Sequence, residues 1–281
     1  MMKVFLVNLD KRPDRLAFVS KQLDELGIPF ERFAAIDGSK LTMETQTLFD
    51  VPKFILEQKK KPSVGEVGCA MSHRAIWQKI LDEQLDYALI LEDDIQIDFA
   101  LKKLLNSKDF YTHFDFLNIS SSDPYNMDNE ILNQLISKNI LVRDQAVNEK
   151  DLWSRLETIK NWKIYCLRNF SSDLGIVGCE CDPAPALTSG YIISSKAAEH
   201  FLKASEKMFC PIDKVWRYAS GQLKQGFLAS PLILQSLNDS NIAGRDNVLN
   251  LSTIQRIQRL FLKNKRLKRK ADVKIMYKKS W

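Results

Sequence analysis

In the stretch Tyr87-Ala88-Leu89-Ile90-Leu91-Glu92-Asp93-Asp94, a continuous apolar run ends abruptly in three carboxylates. An apolar run without polar alternation is typical of a strand that is buried on both faces, as in a parallel sheet covered by helices. Open α/β sheets bind their ligands outside the carboxyl ends of such strands. The stretch therefore predicts an α/β domain with an acidic site at the end of a central strand.

The three carboxylates also indicate a cation. Adjacent carboxylates raise one another's pKa values unless a positive charge neutralises them. A hard ion such as Mn²⁺ or Mg²⁺, bound by carboxylates and by substrate phosphates, removes that repulsion. Because alternate residues of an extended segment point the same way, Glu92 and Asp94 are predicted to share a ligand while Asp93 points away. A solvated acidic loop is the alternative that the residues leave open.

A strand–helix–strand unit precedes this stretch. The residues Met2–Leu9 form an apolar run that predicts the first strand, and Pro13 stands where a helix would begin. Apolar residues at helical spacing continue to Gly27, which is the expected stop. The second strand is predicted over Phe30–Ala35, followed by the turn dipeptide Asp37-Gly38. Two largely apolar strands joined by a helix indicate parallel pairing.

Polar residues follow the first strand in the order Asn8-Leu9-Asp10-Lys11-Arg12-Pro13-Asp14-Arg15. Two arginines at a helix N-terminus favour phosphate oxygens, so the segment predicts a nucleotide site. The chain has neither G-x-G-x-x-G nor G-x-x-x-x-G-K-[ST] at this point, and a dinucleotide site and a P-loop are unsupported. The alternative is that Arg12 and Arg15 pair with Asp14 and other surface carboxylates.

Small residues mark the start of the next helix, which is predicted from about Gly65 to Glu83. The stretch Gly65-Glu66-Val67-Gly68-Cys69-Ala70-Met71-Ser72-His73 lets a neighbouring backbone approach closely and then presents two polar side chains. A histidine on a half-apolar helix is more often a hydrogen-bonded core residue than a ligand.

The segment Thr188-Ser189-Gly190-Tyr191 suggests a tight bend where a ligand approaches the backbone. Asp213 follows Pro211 in the first turn of a predicted helix over 210–218, where it stabilises the helix dipole if it has no chemical role. A further strand is predicted over 114–119, and 187–194 is predicted as a strand or as a loop leading into a strand. Further helices are predicted over 130–136, 151–159 and 196–208, while the region 121–170 shows no clear order. Beyond about residue 250 the chain predicts a basic amphipathic helix with Ile254, Ile257, Leu260 and Phe261 on one face.

Composition limits the remaining classes. The chain has 281 residues, of which 45% are hydrophobic, and a net charge of +6. Residues 256–281 carry eleven Lys/Arg and one acidic residue, so the tail is +10 and the rest of the chain −4. No uncharged stretch exceeds the 14 residues 225–238, and the N-terminal run lacks a cleavage site, which disfavours integral membrane and secreted proteins. The five cysteines have no C-x-x-C spacing, so we expect reduced thiols in a cytosolic protein.

These motifs, in this order, resemble glycosyltransferase family 25, the bacterial lipooligosaccharide galactosyltransferases and their collagen-modifying relatives. The resemblance is strong over residues 2–98 and about 187–242, where 235–236 and 240–242 also match, and it is weak over 121–186. It implies a GT-A-like, Rossmann-type domain over 1–250 with a mostly parallel sheet flanked by helices, followed by a basic helical tail over 251–281. It also implies transfer of a hexose with inversion from a UDP-sugar, together with a Mn²⁺ or Mg²⁺ site.

The resemblance further implies roles for particular residues. Asn8, Leu9, Arg12 and Arg15 would lie along the uridine diphosphate. Asp94 would bind the metal, and Glu92 would contact the metal or the ribose. The remaining residues implied for the nucleotide-sugar pocket are Asp37, Ser72, His73, Asp93, Ser189, Gly190 and Tyr191. A carboxylate must accept the acceptor's proton; Asp213 is the first choice, and Glu180 and Asp182 are second candidates. The chain has no histidine after His200, where GT-A enzymes often have a further metal ligand.

The partners expected are a UDP-sugar, with UDP-galactose first and UDP-glucose close behind, and a lipooligosaccharide or lipopolysaccharide glycan. Residues 254–281 are expected to hold the protein on an anionic membrane surface, at the cytoplasmic face of the bacterial inner membrane. A solvated tail is the alternative. Region 121–186 is expected to shape the acceptor site, with Trp153 and Trp162 stacking on a sugar or packing in the core. Nucleic-acid binding by the tail is a rival that the acidic body disfavours, and an inactive scaffold is another that the intact acidic motif disfavours.

Overall fold

The computed structural model describes residues 2–41, 45–121, 128–142, 155–156, 163–169, 176–235, 249–262 and 266–277. Most of the helix predicted over 151–159, both Trp153 and Trp162, and the motif positions after Gln235 lie outside the described residues. Among the described residues, no helix is both long enough and apolar enough to cross a bilayer.

The strands and helices follow one another along the chain in a mixed α/β order. The strands are β1 Lys3–Asn8, β2 Glu31–Ala34, β3 Tyr87–Glu92, β4 Ile95–Ile97, β5 Phe116–Asn118, β6 Ser120–Ser121, β7 Lys163–Asn169, β8 Val177–Asp182, β9 Gly190–Ser194, β10 Gln225–Leu228 and β11 Ile233–Gln235. The α-helices are α1 Pro13–Glu25, α2 Val51–Gln58, α3 Val64–Asp82, α4 Leu101–Leu105, α5 Lys108–Tyr111, α6 Asn129–Ser137, α7 Ser195–Ala204, α8 Thr253–Leu262 and α9 Leu267–Tyr277. Short 3₁₀ helices span Gly38–Lys40, Thr45–Leu48 and Ile212–Arg217.

The main sheet has eight strands in the order β2-β1-β3-β9-β5-β10-β8-β7. Its strand pairings leave six strands running in one direction and only β9 and β8 in the other. A smaller sheet has the order β4-β11-β6. This confirms the predicted α/β fold with a mostly parallel central sheet, including parallel pairing of the first two strands.

Local sequence signals account for the first half of this fold. Pro13 occupies the start of α1, and Gly27, just past its end, has a φ of 59° that suits glycine. The helix α3 begins with a capping box, in which Ser63 and Glu66 each bind the other's backbone amide. The predicted bounds of β1, α1, β2, α3 and β3 agree with the structure to within about two residues.

The core lies in two layers, one on each face of the main sheet. Alternate residues of β3 divide between them: Ala88 and Ile90 pack into one layer, and Leu89 and Leu91 into the other. The first layer includes Trp77 of α3 and the second includes Leu23 of α1. A strand that is apolar on both faces is therefore buried by helices on both sides, as the opening stretch predicts.

Several predictions in the second half were wrong in detail. Residues 187–194 are a loop leading into the strand Gly190–Ser194, which is one of the two predicted forms, but the antiparallel direction of this strand between β3 and β5 was not predicted. The helix over 210–218 is a 3₁₀ helix, and the helix over 196–208 ends at Ala204. The short strands β4, β6, β10 and β11 were not predicted, because two to four residues carry too little periodic signal.

The basic tail contains two helices in the part that is described. The helix α8 packs against α2. The helix α9 packs on the domain: Arg269 is buried and donates to Asp182 at 2.8 Å, and Tyr277 donates to Glu180 and stacks on Tyr165. This second helix is therefore bonded to β8 through its own side chains.

Candidate active site

A cleft of about 620 Å³ opens at the carboxyl edge of the main sheet. It lies where β1, β2 and β3 end and where the antiparallel β9 begins, since Leu91 of β3 is paired with Gly190 of β9. The helix α3 and the 3₁₀ helix Ile212–Arg217 complete its walls. Of the residues singled out by sequence, those that line it are Leu9, Arg15, Asp37, Ser72, His73, Glu92, Asp93, Asp94, Ser189 and Asp213.

The acidic motif has each of its carboxylates held by a different set of partners. Asp93 accepts from Asn8 Nδ2 at 2.7 Å and from Arg15 at 3.2 Å. Glu92 Oε1 accepts from Thr188 Oγ1 at 2.7 Å and lies 3.1 Å from His73 Nε2. Glu92 and Asp93 are thus turned towards different neighbours. The chain bends at Asp93 and Asp94 instead of staying extended, however, so all three carboxylates line the cleft and the prediction that Asp93 points away is wrong.

Asp94 is the least compensated of the three. Burial and the nearby charge of Glu92 raise the pKa of the Asp94 carboxyl to about 6. Its Oδ2 accepts from Gln235 Nε2 at 3.3 Å and lies 3.8 Å from Arg15, while its Oδ1 is buried without a hydrogen-bond partner within the described part of the chain. A buried carboxylate oxygen without a partner is unstable unless a cation or a proton joins it.

This donor set fits a hard divalent cation. Glu92 and Asp94 supply carboxylate oxygens, the buried Asp94 Oδ1 has no hydrogen-bond partner among the described residues, and Gln235 adds an amide that can present oxygen. Cys69, His73 and Glu92 also bring ligand atoms within 4.8 Å of one another. That second group fits a cation poorly, because burial raises the pKa of the Cys69 thiol well above its usual value and keeps it protonated.

A chain of buried hydrogen bonds, which begins in the core, holds the Glu92 carboxylate in place. Trp77 Nε1 donates to the Tyr191 hydroxyl at 3.0 Å, and that hydroxyl lies 2.7 Å from His73 Nδ1. Burial raises the pKa of Tyr191 well above its usual value, so the phenol stays protonated and donates to Nδ1. His73 then carries its proton on Nε2 and donates it to Glu92. Tyr191 therefore supports the site from the core and does not line the cleft.

The close approach predicted for the small residues of α3 is confirmed. A Cβ on Gly68 would stand 2.5 Å from the carbonyl oxygen of Ile36 and 2.6 Å from the amide of Gly38. Ser72 Oγ accepts from the Ile36 amide at 2.8 Å and donates to the Gly68 carbonyl at 2.7 Å. The helix thereby holds the loop after β2 against itself and places Asp37 in the cleft wall, where Lys11 donates to it at 2.9 Å.

Some residues of the segment after β1 stabilise the fold, whereas others line the cleft. Asn8 is buried and cross-links three elements, since it bonds Asp93, the Arg12 carbonyl and Arg32. The Arg12 guanidinium donates to Asp14 at 2.8 Å, which is the surface pairing considered as an alternative, and it does not line the cleft. Arg15 does line it and contacts the acidic motif.

Asp213 lies across the same cleft, in the first turn of its 3₁₀ helix. Its Oδ1 is buried and has no hydrogen-bond partner among the described residues. Burial raises the pKa of Asp213, the neighbouring Lys214 and Arg217 oppose that shift, and the more distant Glu92 adds to it. A carboxylate with a raised pKa is a stronger base than an ordinary one.

The other carboxylates considered as bases lie elsewhere. Glu180 on β8 bonds His113 at 2.6 Å and Tyr277, and Asp182 bonds Arg269. Neither lines the cleft. Gly190 is also not a bend: it lies within β9, and a Cβ there would stand 2.8 Å from the Ile233 side chain, so a core contact rather than a ligand requires glycine.

Some cleft residues were not singled out by sequence. They are Lys11, Lys60, Thr188, Lys214, Cys69 and Gln235. Most of them stand inside or next to a motif already quoted, but lysines are common on any surface, so only their convergence on one cleft distinguishes them. The three lysines offer positive charge beside the carboxylates, which suits a ligand that carries phosphate.

The fold and the cleft together define a class of protein. A mostly parallel α/β sheet whose central strand ends in an acidic motif, with cations around a deep cleft, is the arrangement of a GT-A-like glycosyltransferase domain. The family model described as glycosyltransferase family 25 (LPS biosynthesis protein) matches residues 1–216. The match covers more than half of the chain, and the chain belongs to that family.

Individual relatives align over shorter stretches. A glycosyltransferase 25 family member of Drosophila melanogaster is 36% identical over 102 residues, which is 34% of this chain and 16% of the relative. The human procollagen galactosyltransferase 2 is 29% identical over 107 residues, 37% of this chain and 17% of the relative. A Haemophilus influenzae protein named as a candidate glycosyltransferase is 34% identical over 101 residues, 36% of this chain and 35% of the relative. The match thus spans about a sixth of the two animal relatives' length and about a third of the bacterial one's.

Proposed function

We propose that this protein transfers a hexose, galactose in the first instance, from a UDP-sugar to a lipooligosaccharide or lipopolysaccharide glycan, with inversion at the anomeric carbon. The observation that carries the proposal is that one cleft is lined both by Glu92 and Asp94, whose carboxylates can bind a cation, and by Asp213, a buried carboxylate that can act as a base. The name of the family model supports a lipopolysaccharide acceptor, and the procollagen galactosyltransferase relative supports galactose.

The acidic side of the cleft binds the donor in this proposal. Glu92 and Asp94 would hold Mn²⁺ or Mg²⁺, with Gln235 beside them, and the bound cation would supply charge neutralisation for the departing diphosphate. Arg15 lies at the same edge and donates to Asp93, so it can pair with phosphate oxygens next to the cation site. Lys11 and Lys60 add positive charge on the cleft wall.

The hydrogen-bond network behind the cleft keeps this geometry rigid. Thr188 and His73 both bond Glu92 Oε1, which fixes the orientation of the carboxylate in the cleft. Asn8 and Arg15 hold Asp93, and thereby the backbone between Glu92 and Asp94. Preorganised electrostatics of this kind contribute much of the rate when charge develops on a leaving group.

Asp213 is the general base in this proposal. Inverting transfer needs a carboxylate that accepts the proton of the acceptor hydroxyl as the hydroxyl attacks the face opposite the leaving diphosphate. Asp213 lines the cleft, has an oxygen free of hydrogen bonds within the described part of the chain, and has a raised pKa. Glu180 and Asp182 do not line the cleft and are engaged with the basic tail.

The test is UDP release from a panel of UDP-sugars, measured with Mn²⁺ and with EDTA. We expect cation-dependent turnover of UDP-galactose that falls at least a hundredfold in Asp94→Asn and in Asp213→Asn, about 2.7 kcal/mol in barrier. Asp109→Asn, an exposed carboxylate on α5 outside the cleft, is the matched control and is expected to keep wild-type turnover.

The variants also separate the two roles. Asp94→Asn is expected to lose cation-dependent UDP binding, whereas Asp213→Asn is expected to retain it, since the base acts on the acceptor. Turnover of UDP-glucose but not of UDP-galactose would replace the donor and leave the class intact. Absence of both binding and turnover with every donor would contradict the proposed function.

A further inference from the structure

The helix α8 exposes its apolar face to solvent. Its large apolar residues Ile254, Ile257, Leu260 and Phe261 are 70%, 53%, 59% and 68% exposed. At 3.6 residues per turn these four positions fall within roughly a third of the circumference. Surface helices normally turn such a stripe to the core. We call these four side chains the α8 stripe.

The opposite side of α8 is the one that contacts the domain. Leu262 is buried, and Gln255 and Arg259 are half-buried. The Arg259 guanidinium donates to the Glu57 carbonyl of α2 at 3.4 Å. The contacts with α2 therefore fix the direction of the stripe, which points away from the protein because the helix is docked through its other face.

The charge around the stripe identifies what could cover it. Arg256 is exposed beside the stripe, and residues 256–281 carry eleven Lys/Arg with one acidic residue. An exposed apolar stripe flanked by cations is the pattern of a helix that lies in a membrane interface. A second copy is a poorer occupant, because two tails of +10 would repel each other and a stable dimer needs about 800 Å² from each partner.

We propose that α8 is an interfacial membrane helix whose stripe inserts into an anionic phospholipid leaflet while Arg256 and the exposed lysines of α9, Lys268, Lys270 and Lys274, are attracted to lipid phosphates. Lipid association of this kind combines buried apolar area with electrostatic attraction, and each part alone is weak. The part of the tail in α9 that packs on β8 ties the anchor to the domain, so the orientation of the bound protein is set.

The anchor lies at the rim of the cleft. Glu57, which Arg259 contacts, is followed in the chain by Gln58, a cleft residue that accepts from Lys214 Nζ at 2.8 Å. A leaflet that covers the stripe would therefore lie near the cleft entrance, where a glycan carried on a lipid arrives. This last step rests on the proposed function, whereas the membrane contact itself does not.

The test is flotation of the full chain with phosphatidylcholine vesicles, without and with about a third phosphatidylglycerol. We expect binding to the anionic vesicles that is at least tenfold tighter than to the neutral ones. The double variant Ile257→Gln/Phe261→Gln is expected to weaken it at least tenfold. Phe18→Gln, on α1 and 53% exposed, is the matched control and is expected to bind like the wild type. Unchanged thermal unfolding of the double variant shows that its fold is intact.

Three outcomes would overturn the proposal. One is that the wild type fails to bind anionic vesicles at low salt. Another is that the double variant binds like the wild type while salt abolishes both, which would leave the binding to the charges alone. The third is a dimer in sedimentation velocity that the double variant dissolves, because the stripe would then belong to a second copy. No sugar donor is present in these experiments, so their failure is distinct from failure of the proposed function.

Discussion

Replacing Tyr191 with phenylalanine tests whether the site depends on a buried polar chain that begins in the core. The substitution removes one oxygen and keeps the ring, whose centroid lies 5.3 Å from that of Phe116. Two polar groups lose their partner: Trp77 Nε1, at 3.0 Å from the hydroxyl, and His73 Nδ1, at 2.7 Å. All three side chains are fully or almost fully buried, so water cannot replace the lost oxygen without rearrangement.

The expected loss of stability follows from those two groups. A buried polar group left without a partner costs about 1–3 kcal/mol, so two of them predict a loss of roughly 2–6 kcal/mol in the free energy of unfolding. The measurement is urea denaturation of wild type and variant. The dependence of the unfolding free energy on urea concentration is compared as well, because an unchanged slope shows that only stability has changed. Tyr111→Phe is the matched control, because Tyr111 is also buried and its hydroxyl makes no hydrogen bond within the described part of the chain; we expect a change within about 0.5 kcal/mol.

The same variant is expected to weaken the site. His73 would no longer be held with its proton on Nε2, so Glu92 would keep the Thr188 bond but lose a fixed donor. Loss of such a supporting hydrogen bond typically lowers metal affinity by about tenfold or more. We therefore expect weaker cation-dependent UDP binding by isothermal titration calorimetry. If Tyr191→Phe costs no more stability than Tyr111→Phe and leaves UDP binding unchanged, the relay from the core to Glu92 is refuted.

Three further predictions concern backbone packing, charge and the tail. Gly68→Ala is expected to lower stability by about 1–3 kcal/mol, because its Cβ would stand 2.5 Å from a backbone oxygen; Gly65→Ala on the same helix is expected to be neutral or stabilising, and equal effects on thermal unfolding would contradict this. Burial raises the pKa of Asp213 in the folded protein. The contribution of this carboxyl to stability is therefore complete below its ordinary pKa and is lost as the pH rises through its pKa in the folded state. Asp213→Asn should raise the melting temperature at pH 7.5, with a gain that shrinks towards pH 4. Arg269→Gln is expected to lower the free energy of unfolding by about 3–5 kcal/mol, because it leaves the buried Asp182 carboxylate without the positive charge that it pairs with. A loss below about 1 kcal/mol would mean that α9 is not part of the folded domain.

The central strand and its acidic end could be predicted because the information is local. An apolar run that is buried on both faces is recognisable at any length above about five residues, and the carboxylates follow it directly. Caps and stops that act within one helical turn, such as Ser63 with Glu66 and glycine at Gly27, fixed the helix bounds in the same way. The antiparallel direction of β9 was missed, because strand direction depends on pairing with β3 and β5 rather than on its own residues.

The division of roles within the site depended on distance in space. From the sequence, Arg12 and Arg15 were predicted to have the same role, as phosphate ligands. In the folded protein Arg12 pairs with Asp14, whereas Arg15 pairs with the acidic motif. The sequence could also name Glu180 and Asp182 as bases next to a cleft motif, but their strand carries them to the tail helix instead. Gln235, 141 residues from Asp94, reaches it only because β11 pairs with β4.

Residues within a turn or two of one another encode the α/β class, the central strand, its carboxylates and the apolar stripe of the first tail helix. Packing between distant segments decides which charges meet, which carboxylate oxygens are buried without a hydrogen-bond partner among the described residues, and which way the apolar stripe of α8 points. The physical reason is that desolvation and Coulomb interaction act through space between segments that the chain separates by up to two hundred residues.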